Sequence, residues 1–316
     1  MTADPAPQMF INVHGDILPA AEAKVSAMDH GFLYGDTVYE TLRTFERVPF
    51  LLGRHLRRLE RSTERIFMPL PLGRPELEAE VLRSVKEVPI DGDVMIRLVI
   101  SRGVGPPGLD IELCTQPSYL VYVSRLTPAN VPPEADATQG GGGVPVVISK
   151  TRRNSPRAVD PSVKSGNFLN NILAYKDAHD VGAYEAILCT AEGFLAEGAT
   201  SNLFVVKDDF VWTPRSEGIL AGITRAVVFE EARAAGASIG ETNIAPETLF
   251  AADEVFLSSS VRGIVPVSRV NDGVVGSGER GPVTHRLQQL YNTRMERECR
   301  TQSGTGSGFK GQGSGS

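Results

Sequence analysis

The sequence predicts an α+β fold in two domains. Short strands alternate with amphipathic helices, and 316 residues are more than one domain usually holds. Residues 127–143 are rich in Pro and Gly and poor in apolar side chains, which is typical of a linker. We therefore predict an N-terminal domain at 1–126, a linker at 127–143, a C-terminal domain at 144–298, and a disordered Gly/Ser-rich tail at 299–316.

The helices and strands are predicted from the spacing of apolar residues and from the Pro and Gly residues that begin or end them. Leu56, Leu59 and Ile66 fall on one face of a helix, and Pro75 suits the first turn of the next. Gly236 ends a third helix. The predicted strands share apolar or alternating runs and lie near 9–16, 38–45, 94–101, 118–124 and 144–149. The predicted helices lie at 54–67, 75–88, 167–181, 224–235 and 283–298.

Composition argues against several classes of function. The net charge of −6 offers no basic surface for nucleic acid. No run approaches 18 apolar residues, and the first residues lack the features of a signal peptide, so we expect neither membrane nor export. Three scattered cysteines indicate reduced thiols in the cytoplasm, and the five histidines lack metal-ligand spacing, so no metal site is expected.

Three features together match the chemistry of pyridoxal phosphate. Lys164, in a loop with Gly166 beside it, offers an amine that can form an imine. Glu197 follows an apolar strand, and a buried carboxylate needs a cation such as a pyridinium. Gly222-Ile-Thr-Arg begins a helix, whose exposed amides favour a phosphate. Each feature alone is weak, since a loop lysine or a turn carboxylate is usually solvated.

Two further segments offer supporting groups. Arg58, in His55-Leu-Arg-Arg-Leu, is placed to grip a phosphate with both arms of its guanidinium if it faces inward. Ser258-Ser-Ser-Val supplies hydroxyls and amides after a strand end. No histidine lies nearby in sequence, so these serines are not expected to act as nucleophiles.

In this order, the segments resemble the class IV, fold-type IV family of pyridoxal-phosphate enzymes. The resemblance covers about residues 9–298. It rests on Phe32-Leu-Tyr-Gly-Asp-Thr-Val-Tyr-Glu, His55-Leu-Arg-Arg-Leu, Val163-Lys-Ser-Gly-Asn, Ala196-Glu-Gly-Ala-Thr-Ser-Asn-Leu-Phe, Gly222-Ile-Thr-Arg and Asp253-Glu-Val-Phe-Leu-Ser-Ser-Ser. The family implies a small N-terminal α/β domain, a larger C-terminal domain with a barrel-like β core, and a homodimer in which a loop of the partner closes each pocket.

The resemblance also implies a role for each matching residue. Lys164 holds the cofactor and moves the substrate proton, and Glu197 bonds the pyridine nitrogen. Leu220 packs on the ring face. The implied phosphate ligands lie at Arg58, Gly222, Ile223, Thr224, Ser259 and Ser260. The implied substrate-side residues are Tyr34, Tyr39, Arg97, Ser260, Val261 and Arg262.

The substrate half of the sequence departs from the known family patterns. Branched-chain transaminases usually carry Tyr-x-Arg where this chain has Met95-Ile-Arg97, and D-amino acid transaminases carry an Arg-x-His carboxylate motif that Pro106–Asp110 lacks. Val38-Tyr-Glu and the segment 176–188 resemble the D-amino acid enzymes. We expect a D-amino acid transaminase using 2-oxoglutarate or pyruvate, with Arg262 or Arg97 binding the substrate carboxylate. The alternatives are a branched-chain L-amino acid transaminase, an aminodeoxychorismate lyase and an (R)-amine transaminase.

Overall fold

A computed structural model of the protein describes residues 9–127 and 142–305. Most of the predicted linker, at 128–141, lies outside the described residues, as does the end of the predicted tail from 306 onward. No helix in the described part is both long and apolar enough to cross a membrane.

The N-terminal part is built on an antiparallel sheet of six strands in the order β2-β1-β6-β5-β3-β4. Every second residue of β5 is buried, which is the pattern of a strand with one face on a core. In register, Arg97 of β5 lies opposite Thr41 of β3. The strands are β1 Met9–Val13, β2 Asp16–Pro19, β3 Thr37–Phe45, β4 Val48–Pro49, β5 Val94–Ser101 and β6 Ser118–Arg125.

Two amphipathic helices cover one face of this sheet. Helix α2 (Leu52–Arg65) and helix α3 (Arg74–Glu87) bury Leu56, Leu59 and Leu77 against the strands. A short helix, α1 (His30–Tyr34), lies outside this core and ends at Gly35, whose φ of +68° suits glycine. The helices thus leave the other face of β3 and β5 open toward the C-terminal part.

The C-terminal part is built on nine strands that curl into a half-barrel. Eight follow the order β12-β11-β10-β13-β14-β7-β8-β9, and β15 pairs with β14. A three-residue turn joins β9 to β10, so the two ends of the path approach each other. The strands are β7 Val144–Arg152, β8 Glu185–Cys189, β9 Leu195–Gly198, β10 Asn202–Lys207, β11 Phe210–Pro214, β12 Ile239–Thr242, β13 Glu254–Ser259, β14 Gly263–Val270 and β15 Gly273–Val274.

Helices pack on the outer faces of this second sheet. Helix α5 (Ile223–Ala234) and helix α7 (Pro282–Thr305) cover Phe204 and Phe256, whose rings stack with centroids 4.7 Å apart. Helix α4 (Leu169–Asp180) packs its alanines on β7 and β8, and α6 (Thr248–Ala251) is a single turn. The start of α5 and the loop before α4 line the same cavity.

The predicted helix and strand bounds agree with the observed ones to within a few residues, except at the end of the last helix. Helix α7 continues to Thr305, so residues 299–305 do not belong to a disordered tail. Tertiary contacts explain the difference: Cys299 is buried with its Sγ 3.7 Å from the Val48 carbonyl oxygen, and Arg300 forms an ion pair with Glu46. The Gly/Ser composition that predicts disorder begins only beyond these contacts.

Candidate active site

The candidate site is a cavity of about 640 Å³ where the two sheets meet. It is bounded by β3 and β5, by the loop between β7 and α4, by the start of α5 and by the turn between β13 and β14. Residues predicted from distant parts of the sequence meet in its wall. These are Tyr39, Arg58, Arg97, Lys164, Glu197, Leu220, Gly222, Ile223, Thr224, Ser259, Ser260, Val261 and Arg262.

Lys164 is held at the centre of this cavity by its own backbone. Its carbonyl oxygen accepts from the Tyr39 amide at 2.9 Å, and its amide donates to Ser62 Oγ at 3.3 Å. The Lys164 Nζ donates to the Tyr39 hydroxyl at 3.0 Å, and Lys164 forms no ion pair within the described ranges. The Lys164 amine therefore lines the cavity with a hydroxyl, and not a carboxylate, as its hydrogen-bond partner.

Glu197 is a buried carboxylate at one end of the cavity. The Arg153 Nε donates to Glu197 Oε1 at 2.7 Å, while the Leu220 amide donates to Oε2 at 3.1 Å. Asn202 Nδ2 lies 3.4 Å from the same Oε2. Burial raises the pKa of Glu197, and the nearby Arg153 opposes that rise. These three contacts fix the carboxylate in position on the cavity wall.

The start of α5 forms a part of the cavity wall that favours anions. Gly222 is the N-cap and provides no side chain to the first-turn amides. A Cβ on Gly222 would lie 1.9 Å from Asn202 Oδ1, so any larger residue there would displace the Asn202 side chain. Nearby, the Ser258 Oγ is buried and has no hydrogen-bond partner within the described residues. Amides at a helix N-terminus with an unpaired hydroxyl beside them suit a phosphate.

Arg58 faces the cavity but is held differently from the prediction. Its Nε and Nη2 donate to the two oxygens of Glu40 at 2.7 and 2.6 Å, and Nη1 donates to the Ala221 carbonyl at 2.9 Å. Because Glu40 occupies the bidentate edge, Arg58 cannot grip a phosphate with that edge. Burial raises the pKa of Glu40, but Arg58 and His55 outweigh this and lower it to about 2.

The two arginines predicted to bind a substrate carboxylate differ in their surroundings. The guanidinium carbon of Arg97 lies 4.2 Å from the Tyr39 ring centroid and 5.4 Å from that of Phe168, and Arg97 has no ion pair within 9–127 or 142–305. Arg262 instead pairs with the fully buried Glu185 at 3.2 Å. Its other donors meet Ser259, Tyr184 and Thr200. Arg97 is therefore the arginine left available to a carboxylate.

Tyr34 lies outside the cavity. It is 39% exposed at the end of α1, and its hydroxyl accepts from the Gly108 amide at 2.9 Å. The predicted substrate contact is therefore not made within this chain, because α1 packs on the 103–108 loop and away from Lys164.

Sequence reasoning missed several residues that contact the predicted ones. Arg153 lies on the wall of the cavity beside Glu197, yet nothing in Arg152-Arg-Asn marks it. Glu40 and Asn202 lie inside segments that the sequence already marks, where Glu40 accepts from Arg58 and Asn202 donates to Glu197. Phe168, four residues after Lys164, contacts Tyr39 with ring centroids 5.0 Å apart.

These residues fit pyridoxal phosphate. A lysine without an anionic partner lines the same cavity as a buried carboxylate and a helix start with an unpaired buried hydroxyl nearby. The cofactor has an aldehyde, a pyridine nitrogen and a phosphate, which these three features match in turn. The fold and the site therefore define an enzyme built around a lysine-linked cofactor.

Comparison with known proteins identifies the family. The profile of the class IV amino-transferases matches residues 37–270, which is most of the chain. A putative branched-chain-amino-acid aminotransferase of Methanocaldococcus jannaschii is 34% identical over 284 residues, covering 90% of this chain and 95% of its own. An aminodeoxychorismate lyase of Bacillus subtilis is 32% identical, covering 91% and 95%. A D-alanine aminotransferase of Listeria monocytogenes is 32% identical, covering 92% and 98%.

A solved structure gives the same result. The branched-chain amino acid aminotransferase of T.th., determined with pyridoxamine 5′-phosphate, superposes with a TM-score of 0.82 at 27% identity, covering 94% of this chain and 97% of that one. The chain belongs to the class IV aminotransferase family. It is a pyridoxal-phosphate-dependent aminotransferase, with the fold-type IV architecture that the sequence predicts.

Proposed function

We propose that the enzyme transfers amino groups between D-amino acids and 2-oxo acids, with Arg97 binding the substrate α-carboxylate. The observation that carries this proposal is the position of Arg97. Its guanidinium lies over the Tyr39 ring, and the hydroxyl of the same tyrosine accepts from Lys164 Nζ. A carboxylate on Arg97 would lie close to the amine that moves the α-proton.

Stereochemistry follows from which anion site takes the α-carboxylate. The cavity offers two: Arg97 on β5, and the amides of the turn at 259–261. If the nitrogen and the α-hydrogen keep their places, exchanging carboxylate and side chain between the two sites inverts the configuration. Arg97 as the carboxylate site therefore corresponds to one enantiomer, which we propose to be D, and the turn corresponds to the other.

In the proposed reaction, each residue of the cavity has a separate role in transamination. When bound, pyridoxal phosphate supplies an electron sink for negative charge at the substrate α-carbon. Lys164 holds the cofactor and then moves the α-proton, and Tyr39 orients its amine. Glu197 would hold the ring nitrogen and Leu220 would pack on the ring. The phosphate would be held by Gly222, Ile223, Thr224, Ser259 and Ser260. Arg58 would add only the N–H groups that Glu40 and the Ala221 carbonyl do not take.

Relatives support both enantiomers. D-alanine aminotransferases lie among the similar proteins, and so do branched-chain aminotransferases. The second candidate is therefore branched-chain L-amino acid transamination. A specific observation favours it: Arg262 braces the turn through Ser259 Oγ at 3.1 Å, which readies the turn amides for a carboxylate. Lyase activity on aminodeoxychorismate and (R)-amine transamination remain outcomes that a substrate panel would reveal.

We infer that the protein is a homodimer, joined through the apolar surface of α1 and α4. Phe32 and Leu109 are 72% and 88% exposed, and Leu169 and Ile172 on α4 are more than half exposed. Asn167 Nδ2, just before α4, donates to the Gly35 carbonyl, just after α1, at 3.2 Å, which holds this end of α4 beside α1. Exposed apolar patches of this kind mark interfaces. Light scattering should give twice the mass of one chain, and Phe32→Ser with Leu169→Ser should reduce it.

We also propose that the protein is cytoplasmic. It is supported by three buried cysteines, Cys114, Cys189 and Cys299, which form no disulfide in the described ranges.

Steady-state kinetics of Arg97→Met test the proposed carboxylate site. We expect KM for D-alanine and D-glutamate to rise about 10- to 100-fold, as for the loss of a charged hydrogen bond, while cofactor binding is unchanged. Arg125→Met, an exposed arginine at the end of β6, serves as the matched control. Unchanged KM values for every amino acid in Arg97→Met would refute the proposal.

A further inference from the structure

Arg153 forms an ion pair with Glu197, the proposed partner of the cofactor's ring nitrogen. Its Nε lies 2.7 Å from Glu197 Oε1, and the two side chains are only 12% and 6% exposed. We propose that Arg153 is a positioning residue that keeps Glu197 ionised and aligned for the cofactor ring. This inference rests on the assignment of Glu197 to the ring nitrogen proposed above, and it is independent of which enantiomer is the substrate.

The backbone fixes Arg153 at the wall of the cavity. Its amide donates to the Cys189 carbonyl at 2.8 Å, at the end of the paired strands β7 and β8. Its Nη1 donates to Asn170 Oδ1 at 3.3 Å, on the first turn of α4. These contacts aim the Nε at one oxygen of Glu197, while the Leu220 amide and Asn202 meet the other. Arg153 thus holds the carboxylate in one orientation.

Two cations and one backbone amide act on Glu197, and both cations lie in the loop between β7 and α4. Burial raises the pKa of Glu197, and against it act the cations Arg153 and Lys164, with the Leu220 amide. Asn202 of β10 is neutral. Lys164 is committed to holding the cofactor, so Arg153 is the cation that can remain paired with Glu197 throughout. Without Arg153, a carboxylate this buried is expected to take up a proton.

This role predicts a change in proton balance when the cofactor binds. On this proposal, Glu197 of the wild-type apoprotein is held as a carboxylate by its ion pair with Arg153 and meets the ring N–H⁺ without losing a proton. When Arg153 is removed, we expect the buried Glu197 to take up a proton in the apoprotein. Forming the same carboxylate–pyridinium pair then sends that proton to solvent or to the ring nitrogen. The variant therefore binds the cofactor with release of about one more proton, or uptake of about one fewer.

Calorimetry of the apoproteins measures this count directly. Apoprotein is titrated with pyridoxal phosphate, and separately with its 1-deaza analogue, which has a carbon in place of the ring nitrogen. Each titration is repeated in buffers that differ in ionisation enthalpy. Arg153→Met removes both the charge and the hydrogen-bond donor. Arg153→Gln removes the charge and keeps a donor. If either variant fails to fold, the other still tests the loss of charge. Arg153→Lys restores the charge, and Arg157→Gln removes an exposed arginine of the same loop.

We expect the proton count to differ from wild type by about one for Arg153→Met and Arg153→Gln with pyridoxal phosphate, and not with the 1-deaza analogue. Arg153→Lys and Arg157→Gln should match wild type. An unchanged count in the charge-removing variants would overturn the inference, as would the same extra proton with the 1-deaza analogue. Glu197→Gln distinguishes the assignment of Glu197 to the ring nitrogen from the role of Arg153. We expect this variant to bind pyridoxal phosphate no more tightly than the 1-deaza analogue. If the preference for pyridoxal phosphate persists, the assignment of Glu197 fails, and the role of Arg153 with it.

Discussion

Arg262 forms an ion pair with Glu185, its Nη2 lying 3.2 Å from a carboxylate that has no exposed surface. The same guanidinium donates to Ser259 Oγ and to the Tyr184 hydroxyl. It also donates to Thr200, so it connects strand β8 to the turn after β13 through contacts with four residues. This explains why Arg262, although it directly follows the predicted carboxylate-binding turn, serves to brace that turn.

Removing Arg262 should cost stability more than substrate affinity. Arg262→Met leaves the buried Glu185 without its cation, which typically destabilises a protein by about 3–5 kcal/mol. Urea unfolding of the apoprotein measures the change. The double variant Arg262→Met with Glu185→Gln should recover part of the loss. A loss below 1 kcal/mol in Arg262→Met would contradict the structural role of the pair.

Lys164→Ala should abolish the covalent attachment of the cofactor and most of the activity. A positioned acid/base group alone contributes roughly 10²–10⁴-fold to rate, so kcat should fall at least that far. Borohydride reduction followed by mass spectrometry should show the cofactor on the wild-type chain and not on the variant. Lys176→Ala, which removes an exposed lysine paired with Asp180, should behave as wild type. Cofactor found on Lys164→Ala would refute the assignment.

Tyr39→Phe should slow catalysis without unfolding the site. The change removes the hydroxyl that accepts from Lys164 Nζ at 3.0 Å and keeps the ring under Arg97. Loss of one such hydrogen bond is expected to reduce kcat about tenfold, with a smaller change in KM. Tyr119→Phe is the matched control, because its hydroxyl donates to Glu80 far from the cavity. Equal kinetics for both variants would show that Tyr39 does not orient the lysine.

Glu40 should make the apoprotein sensitive to acid. Its pKa is lowered from 4.5 to about 2, so the stability it contributes is present above pH 4.5 and is lost as the pH falls toward 2. The shift corresponds to on the order of 3 kcal/mol. Glu40→Gln should therefore be much less stable than wild type at pH 7, and the gap should narrow by pH 3.

The comparison for Glu40 is Glu60→Gln, which removes a partly exposed carboxylate paired with Arg74. Its effect should stay below about 1 kcal/mol at either pH. Chemical unfolding at pH 7 and at pH 3 gives the free energy of unfolding of the wild type, Glu40→Gln and Glu60→Gln. A gap between wild type and Glu40→Gln that does not change with pH would contradict the ion-pair account.

The elements and the cofactor half of the site could be predicted from sequence because their signals are local. Alternation in β3 and β5, the apolar face of α2 and the glycine before α5 each lie within a short window. Lys164, Glu197 and Gly222 were recognisable since each residue type suits one part of the cofactor. Their convergence on one cavity could be predicted only through the family resemblance.

The remaining features depend on contacts between distant segments. Glu40 and Arg58 are 18 residues apart, and Arg153 and Glu197 are 44 apart, so no sequence spacing indicates either pair. The same holds for Arg262, whose partner Glu185 lies 77 residues earlier. The end of α7 was missed because packing against β4 overrides the weak helix signal near Cys299.

The central claim, that Arg97 receives the α-carboxylate of a D-amino acid, is tested most directly by single half-reactions of the wild-type enzyme. Purified enzyme loaded with pyridoxal phosphate is mixed separately with D-alanine, D-glutamate, L-leucine and (R)-phenylethylamine, and the absorbance of the bound cofactor is followed. We expect rapid loss of the absorbance band with the two D-amino acids and little change with L-leucine. Rapid loss with L-leucine and none with either D-amino acid would contradict the claim and identify the turn at 259–261 as the carboxylate site.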